Sequence, residues 1–205
     1  MVDPKDPNAQ FNDKYWDEEA SVQLLRDGYK DWNPVVKALT EVTPDLRFHP
    51  NLSCSQSLPT WVFGDSVTLI GDAAHAHGGA HATGGSIAID DAYALYLSIL
   101  SIFPLDSSTK PARAEIGKAL KLYEATRKPH ADRLLKLVHA ANTAKAEKIR
   151  TGKVESDEEL RERARKGSNT TWLHEHDVIK TFEETLKRRE VEDVLSDAVK
   201  ISAKF

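Results

Sequence analysis

The residues of this chain whose types and spacing could do chemistry lie in one segment. It reads Val67-Thr68-Leu69-Ile70-Gly71-Asp72-Ala73-Ala74-His75-Ala76-His77-Gly78-Gly79-Ala80-His81-Ala82-Thr83-Gly84-Gly85-Ser86, and it runs on to Asp90-Asp91. Asp72 brings two acceptor oxygens suited to a sugar or ribityl hydroxyl. Small residues at Ala73, Ala74, Gly78 and Gly79 let a planar ligand approach the backbone closely. Gly84 and Gly85 open a helix whose free N–H groups and positive dipole end can face electron-rich oxygens. His77 and His81 carry imidazoles, the side chain most often used for general acid–base proton transfer, and the plainer alternative is that they are exposed loop histidines. His75, His77 and His81 also stand at a spacing where three imidazoles and a water could gather on zinc. No nearby Cys or Glu completes such a set, and no metal is assigned. Asp90 and Asp91 are adjacent, so they point to different helix faces. Near a helix start they complement the dipole.

Several elements must position this segment. Residues 1–17 read as a loose leader rich in Asp, Asn, Pro and Lys. Residues 18–29 and a stretch beginning at Pro34 read as short amphipathic helices, the second stopping before Thr43-Pro44. Residues 46–54 read as a short strand broken by Pro50. Residues 61–63 and 67–70 read as two strands around a Gly64-Asp65-Ser66 turn, the second an unbroken apolar run of the kind buried in a sheet. That strand would deliver Gly71 and Asp72 to a sheet edge, where open α/β sheets place ligands. Residues 73–85 read as loop, and residues 86–103 as a strongly apolar helix with Pro104 beyond its end. Residues 111–127 read as a helix that Pro129 breaks or kinks before it resumes through Ile149. Residues 152–167 are dense in charge and read as a solvated helix or a flexible stretch. One or two more amphipathic helices follow in residues 170–203, with Trp172, Val178, Phe182 and Leu186 as contacts. Trp61, Tyr93 and Tyr96 pack against the core or line an aromatic pocket.

Gly71-Asp72-Ala73-Ala74-His75, followed by a glycine-rich turn and the helix start Ala88-Ile89-Asp90-Asp91-Ala92, resembles the third flavin signature of the class A FAD-dependent aromatic monooxygenases, the salicylate- and para-hydroxybenzoate-hydroxylase-like enzymes. Leu122-Tyr123-Glu124 through Arg127-Lys128-Pro129 is similar to that family's Tyr-Glu-x-x-Arg-x-Pro stretch. The resemblance covers roughly residues 20–140. It implies that Asp72 holds the ribityl chain and that the backbone of Thr83, Gly84, Gly85 and Ser86 faces the flavin pyrimidine edge, with Gly71, Ala73 and Ala74 completing the contact. Ala76 stands where a proline commonly follows the histidine, and Gly79 where many members have one beside the ring. Ala76 and the Gly78-Gly79 pair are similar to a fungal-type branch, whereas a larger apolar residue is usual at His81. No Gly-x-Gly-x-x-Gly follows a strand near Met1, and the middle Asp-Gly motif is missing, since Arg26-Asp27-Gly28 falls in a helical region.

The fold expected is therefore α+β and mainly helical. It is a truncated flavoprotein-monooxygenase-like fold that lacks the N-terminal dinucleotide-binding βαβ unit and keeps a small β-sheet remnant. It is read as one domain over residues 1–205, with the sheet remnant, glycine/histidine loop and following helix in 18–104 and C-terminal helices in 105–205. The net charge of -4 gives no basic surface for nucleic acid or an anionic membrane. The longest apolar run, near residues 92–103, is too short to span a bilayer. One cysteine, Cys54, precludes an internal disulfide, and the expectation is a soluble, cytoplasmic protein. Three functions follow. The first is a flavin-independent enzyme of secondary metabolism performing a cyclisation, isomerisation or dehydration of an aromatic or polyketide-like molecule, with His75, His77, His81 and Asp72 as its polar groups and no cofactor tightly held by this chain alone. The second is the C-terminal part of an FAD- and NAD(P)H-dependent aromatic hydroxylase. The third is a non-catalytic binding remnant. In each, the sheet edge left open by the missing half calls for a homodimer or a complementing chain.

Overall fold

Caps and turns set most of the element boundaries. The computed structural model describes residues 17–49, 53–54, 56–152, 154–167 and 170–202. They belong to two compact units, Met1–Leu52 and Ser53–Phe205, where the sequence reads as one domain. In the first unit, strand β1 (Glu18–Ala20) precedes helix α1 (Val22–Tyr29), so the sequence-predicted helix over 18–29 loses its first turn to a strand. The reason is Ser21, whose hydroxyl accepts from the Gln23 N–H and caps α1 there. Helix α2 (Pro34–Glu41) starts where Asn33 accepts from the Val36 N–H and Pro34 pre-sets φ. Strand β2 (Leu46–Phe48) then pairs antiparallel with β1, Glu18 opposite Phe48 and Ala20 opposite Leu46. Pro50 lies outside the described residues. Leu24, Val35, Leu39 and Val42 are exposed, and Thr40 is the buried residue of α2.

The second unit opens on a hairpin. Strands β3 (Val62–Phe63) and β4 (Val67–Thr68) pair antiparallel across the expected Gly64-Asp65-Ser66 turn. Both are shorter than the apolar runs suggest, and Val67 and Ile70 are exposed. The apolar character of residues 67–70 therefore does not mark a buried sheet strand: two two-stranded ladders are the only sheets among the described residues. A one-turn helix α3 (Asp72–His75) and a 3₁₀ turn (Ala80–Ala82) occupy part of the segment read as loop. Helix α4 (Gly84–Ile102) follows, then the 39-residue α5 (Arg113–Thr151), the exposed α6 (Asp157–Lys166), the short α7 (Thr171–His174) and α8 (Val178–Ser202).

Helix α5 is the spine. Ala119, Tyr123, Thr126, Arg127, His130, Ala131, Leu134 and Val138 recur at three- and four-residue spacing and are all buried. They pack against α4 and α8. Pro129 sits inside α5 without ending it, against the expected break. A proline removes one i to i−4 bond and crowds the preceding turn. The buried residues on both sides of it hold the helix, a tertiary effect that local propensity omits. Gly117 lets the hairpin turn lie on α5, because a Cβ there would meet the Asp65 side chain at 2.7 Å. Arg113 adds a bond to the Gly64 carbonyl at 2.7 Å. Helix α4 is long and apolar enough to cross a bilayer by length and composition. Its Ile87, Asp91, Ala94 and Ser98 side is nevertheless buried in this unit. Helix α6 is solvated, as its charge density predicts, with Ser156 and Glu159 forming a reciprocal cap. Val178 and Phe182 of α8 are buried and Trp172 packs beside Leu173.

Candidate functional site

The hairpin hands the chain to the Gly71–Asp72 corner. Leu69 N–H donates to the Trp61 carbonyl at 3.0 Å, and the Tyr123 hydroxyl donates to the Leu69 carbonyl at 3.1 Å. Burial and the nearby Asp91 charge push the Tyr123 phenol far up, so it stays a donor. Gly71 then takes φ 57° and ψ -139°, a conformation open to glycine alone, and turns the chain into α3. A Cβ at Gly71 would also sit 3.3 Å from the Ala88 Cβ. Gly71→Ala is therefore expected to cost about 1–3 kcal/mol of stability. Urea unfolding measures this, and an unchanged midpoint would contradict the geometry.

Asp91 is the hub behind this corner. Its Oδ2 accepts from the Gly71 N–H at 2.9 Å and from His75 Nε2 at 2.6 Å, and its Oδ1 accepts from Arg127 Nε at 2.9 Å. Asp91 and Arg127 are both 0% exposed and His75 is 1% exposed. Burial raises the Asp91 carboxyl, but the His75 and Arg127 contacts and the Gly71 N–H outweigh it, holding it below the ordinary carboxylate value. Asp91 therefore does far more than complement the α4 dipole. Asp90, one residue earlier, is raised by burial against the opposing pull of Arg127, whose Nη2 lies 3.7 Å away.

The sequence-predicted site residues divide into two groups. Asp72 and Ala73 are exposed beside the start of α4, as are Gly85 and Ser86. Thr83 makes no side-chain cap bond there, and the first helical bond runs from the Ile87 N–H to the Thr83 carbonyl. The N–H groups of Gly84, Gly85 and Ser86 thus precede the helical ladder. Gly84 keeps the corner tight: a Cβ there would lie 3.5 Å from His77 Cε1 and 4.0 Å from an Asp72 carboxylate oxygen. Ala74 and Thr83 are buried instead of lining this open side, Ala74 in the cluster around Trp61 and Tyr123. Trp61 packs on His75 and Tyr123 at ring distances of 5.6 and 6.0 Å, which makes it a core residue. Tyr93 and Tyr96 stack at 6.3 Å on the exposed side of α4.

The three histidines do not converge. His75 is enclosed on Asp91. His77 is enclosed between the His75 carbonyl, 3.3 Å from Nδ1, and the Thr83 hydroxyl, 3.4 Å from Nε2. His81 is exposed at φ 63°. Among the described residues, no group of three His, Cys, Asp or Glu side chains could hold a metal ion.

Sequence reasoning missed the joint task of the α5 motif. Tyr123 holds Leu69, Glu124 accepts from the Thr60 hydroxyl at 2.7 Å and from the Trp61 N–H, and Arg127 holds Asp91. Lys128 reaches the Ser57 hydroxyl at 3.2 Å. The signal was a Glu and an Arg at buried spacing inside an apolar helix face, which need partners when buried.

This arrangement fits one part of a flavin. Free N–H groups, small side chains and an exposed carboxylate suit a ribityl chain and an electron-rich ring edge. Among the described residues no βαβ unit is available for a pyrophosphate.

Residues 51–138 match the family described as FAD binding domain. The 6-hydroxynicotinate 3-monooxygenase of Bordetella bronchiseptica is 31% identical over 134 residues, 65% of this chain and 32% of that protein. The salicylate hydroxylase of Pseudomonas putida is 30% identical over 173 residues, 81% of this chain and 36% of that protein. The chain spans about a third of the length of these curated relatives. The signature at Gly71–His75, its anchoring through Asp91 and Arg127, and these matches show that the chain belongs to the class A FAD-dependent aromatic monooxygenase-like family.

Proposed function

We propose that this chain supplies the ribityl- and pyrimidine-facing wall of an FAD site for hydroxylation of an aromatic substrate, with the adenosine end of the cofactor held by a complementing segment. The observation that carries this reading is the open corner where exposed Asp72 meets the uncapped start of α4 at Gly84, Gly85 and Ser86. Asp72 would accept from ribityl hydroxyls, and the three N–H groups would face the pyrimidine oxygens. FAD supplies the redox chemistry when bound, taking electrons from NAD(P)H and passing them to oxygen. The chain's own part is to hold the ring and to keep the corner rigid through Asp91. A complementing segment, in a second copy or another chain, also suits the exposed α4 stripe of Ile89, Tyr93, Tyr96 and Ile99.

The wall as drawn touches what FAD shares with FMN. The two flavins are therefore expected to quench with similar affinity in a fluorescence titration of the isolated chain. Asp72→Ala is expected to weaken both about tenfold, the worth of one charge-assisted bond, and to leave the thermal midpoint unchanged because Asp72 is exposed. Supplying a dinucleotide-binding half should then restore stoichiometric FAD absorbance and NADPH oxidation. Absence of flavin binding in every combination would return the corner to the competing reading, a flavin-independent cyclisation, isomerisation or dehydration. That reading gains less from the geometry, because His75 and His77 are already engaged inside the protein.

A further inference from the structure

The histidines of helix α5 do different work. His130 is buried and stacks on His176 at a ring distance of 3.9 Å, an interior contact. His139 is half-buried, and its Nε2 donates to the Cys54 carbonyl at 2.6 Å. Cys54 in turn donates its N–H to the Ala76 carbonyl at 2.7 Å, and Ser53 forms an antiparallel bridge with His77. His139 is thus two hydrogen bonds away from the point where the chain leaves α3. Further ties follow along the same helix. The Ser57 hydroxyl donates to Asp132 and accepts from Lys128 at 3.2 Å, and Thr60 and Trp61 are tied to Glu124. The partners on α5 are therefore His139, Asp132 and Glu124, for Cys54, Ser57 and Thr60–Trp61 in turn. Seven or eight helical residues rise about 10–12 Å, close to the length of three or four extended residues. Cys54, Ser57, Thr60 and Trp61 thus follow α5 antiparallel in matched register, as a strap, and His139 stands at the end that meets the corner.

We propose that His139 is a positioning residue for the glycine turn of the flavin corner, acting through the Cys54 backbone. The inference rests on the reading of that corner as a flavin wall, in which Gly78 and Gly79 let the ring approach. This turn has little of its own to hold it. Gly78 and Gly79 both take φ 70°, and glycine loses the most backbone freedom on ordering. Ala76, just before them, takes φ -49° and ψ 122° with no proline ring to fix it. Hydrogen bonds supply the hold. The Ala76 N–H donates to the Asp72 carbonyl at 3.2 Å, and the Ala76 carbonyl accepts from Cys54. Beyond the turn, the His77 ring meets the Thr83 hydroxyl at 3.4 Å and closes its base. Among the described residues, His139 makes the one side-chain bond to Ser53–Cys54. Without it Cys54 would keep only its bonds to the very segment it has to steady. With it, the turn is referred to α5, the most deeply packed helix of the unit.

The test compares His139→Leu with His139→Gln in the full chain, because glutamine keeps an N–H donor at similar reach and leucine keeps none. The first readout is amide hydrogen exchange followed by NMR. His139→Leu should speed exchange of the Cys54 amide about tenfold, a local opening, while amides around Leu134 and Phe182 keep their rates. His139→Gln should restore the slow rate. The second readout is quenching of FMN fluorescence. His139→Leu should weaken FMN binding about fivefold, the worth of one hydrogen bond, and His139→Gln should recover it. Unchanged Cys54 exchange in His139→Leu would overturn the proposal whether or not flavin binds. So would faster exchange that spreads to Leu134 and Phe182 or that glutamine does not reverse, since that marks a general loss of packing. Equal FMN affinity in the parent and both variants would also overturn it. A parent chain that binds no FMN sinks the flavin reading instead, and the exchange rates then decide by themselves whether His139 holds the turn.

Discussion

Asp91→Asn is expected to cost about 3–5 kcal/mol, the range found when one partner of a buried ion pair is removed. The side chain is fully enclosed and receives three donors: the Gly71 N–H, His75 Nε2 and Arg127 Nε. An amide has one acceptor oxygen and an NH2 group, so whichever way it is turned, its NH2 group faces at least one of these donors. The Arg127 charge would then be buried without its counter-ion. In thermal terms the loss is roughly 10 °C or more for a unit of this size. It should appear in urea unfolding and in the near-ultraviolet signal of Trp61, which packs on His75. Replacing both partners with apolar residues, Asp91→Leu with Arg127→Met, should recover part of the loss, because no lone charge then remains. A single Asp91→Asn change costing under about 1 kcal/mol would mean the carboxylate is not the anchor of this corner. Flavin affinity should fall along with stability, since Gly71 and His75 flank Asp72.

Acid should destabilise the protein well above the carboxylate range. Burial, the neighbouring His176 and the charges of Arg127 and Arg133 push the His130 imidazole down to about 3, with Asp91 opposing them. His176 is lowered as well, by burial and by Arg127, with Asp177 opposing. An unfolded histidine titrates near 6.5. Between these values the unfolded chain binds the proton and the folded chain does not, so stability rises with pH there. The contribution of His130 is fully present above about pH 6.5 and is lost progressively as the pH falls toward 3, at up to roughly 1.4 kcal/mol per pH unit. Asp91 behaves differently: its lowered value places its own loss below the unfolded carboxylate value of 3.8. The histidine pair therefore lowers stability as the pH falls from 6.5 to about 4.5, against an opposite contribution from Asp90, whose carboxyl is raised by burial. Urea midpoints should slope downward across this range, and His130→Phe should flatten the slope. A wild-type profile that is level from pH 7 to 5 would refute this account of the stack.

Local chemistry made much of the chain legible in advance. Asn33-Pro34 announces the start of α2, and the Gly64-Asp65-Ser66 turn announces the hairpin. The apolar run after Gly85 announces α4, and the acidic-to-basic order of residues 157–166 announces a solvated helix. The Gly71–His75 segment with its acidic helix start pointed to the flavin family by its resemblance to that family's third flavin signature. These are properties of neighbours along the chain.

Tertiary packing settled what neighbours along the chain do not. Helix α5 runs through Pro129 because buried side chains on both sides outweigh one lost backbone bond. Residues 67–70 contribute only a two-residue hairpin strand, with Val67 and Ile70 exposed and Leu69 against the core, because apolar composition cannot say whether partner strands exist. His75 and Asp91 are 16 residues apart, and Asp91 and Arg127 are 36 apart. Only the packing of α3, α4 and α5 brings their charges into one buried network, which makes His75 an anchor of the corner and leaves Asp72 on its open side. The stack of His130 on His176 has the same origin: two imidazoles 46 positions apart in sequence become one enclosed cluster when α8 folds back on α5. Sequence determines which side chains are available, and burial decides which of them must find a partner, because an unpaired charge or donor away from water is too costly to persist.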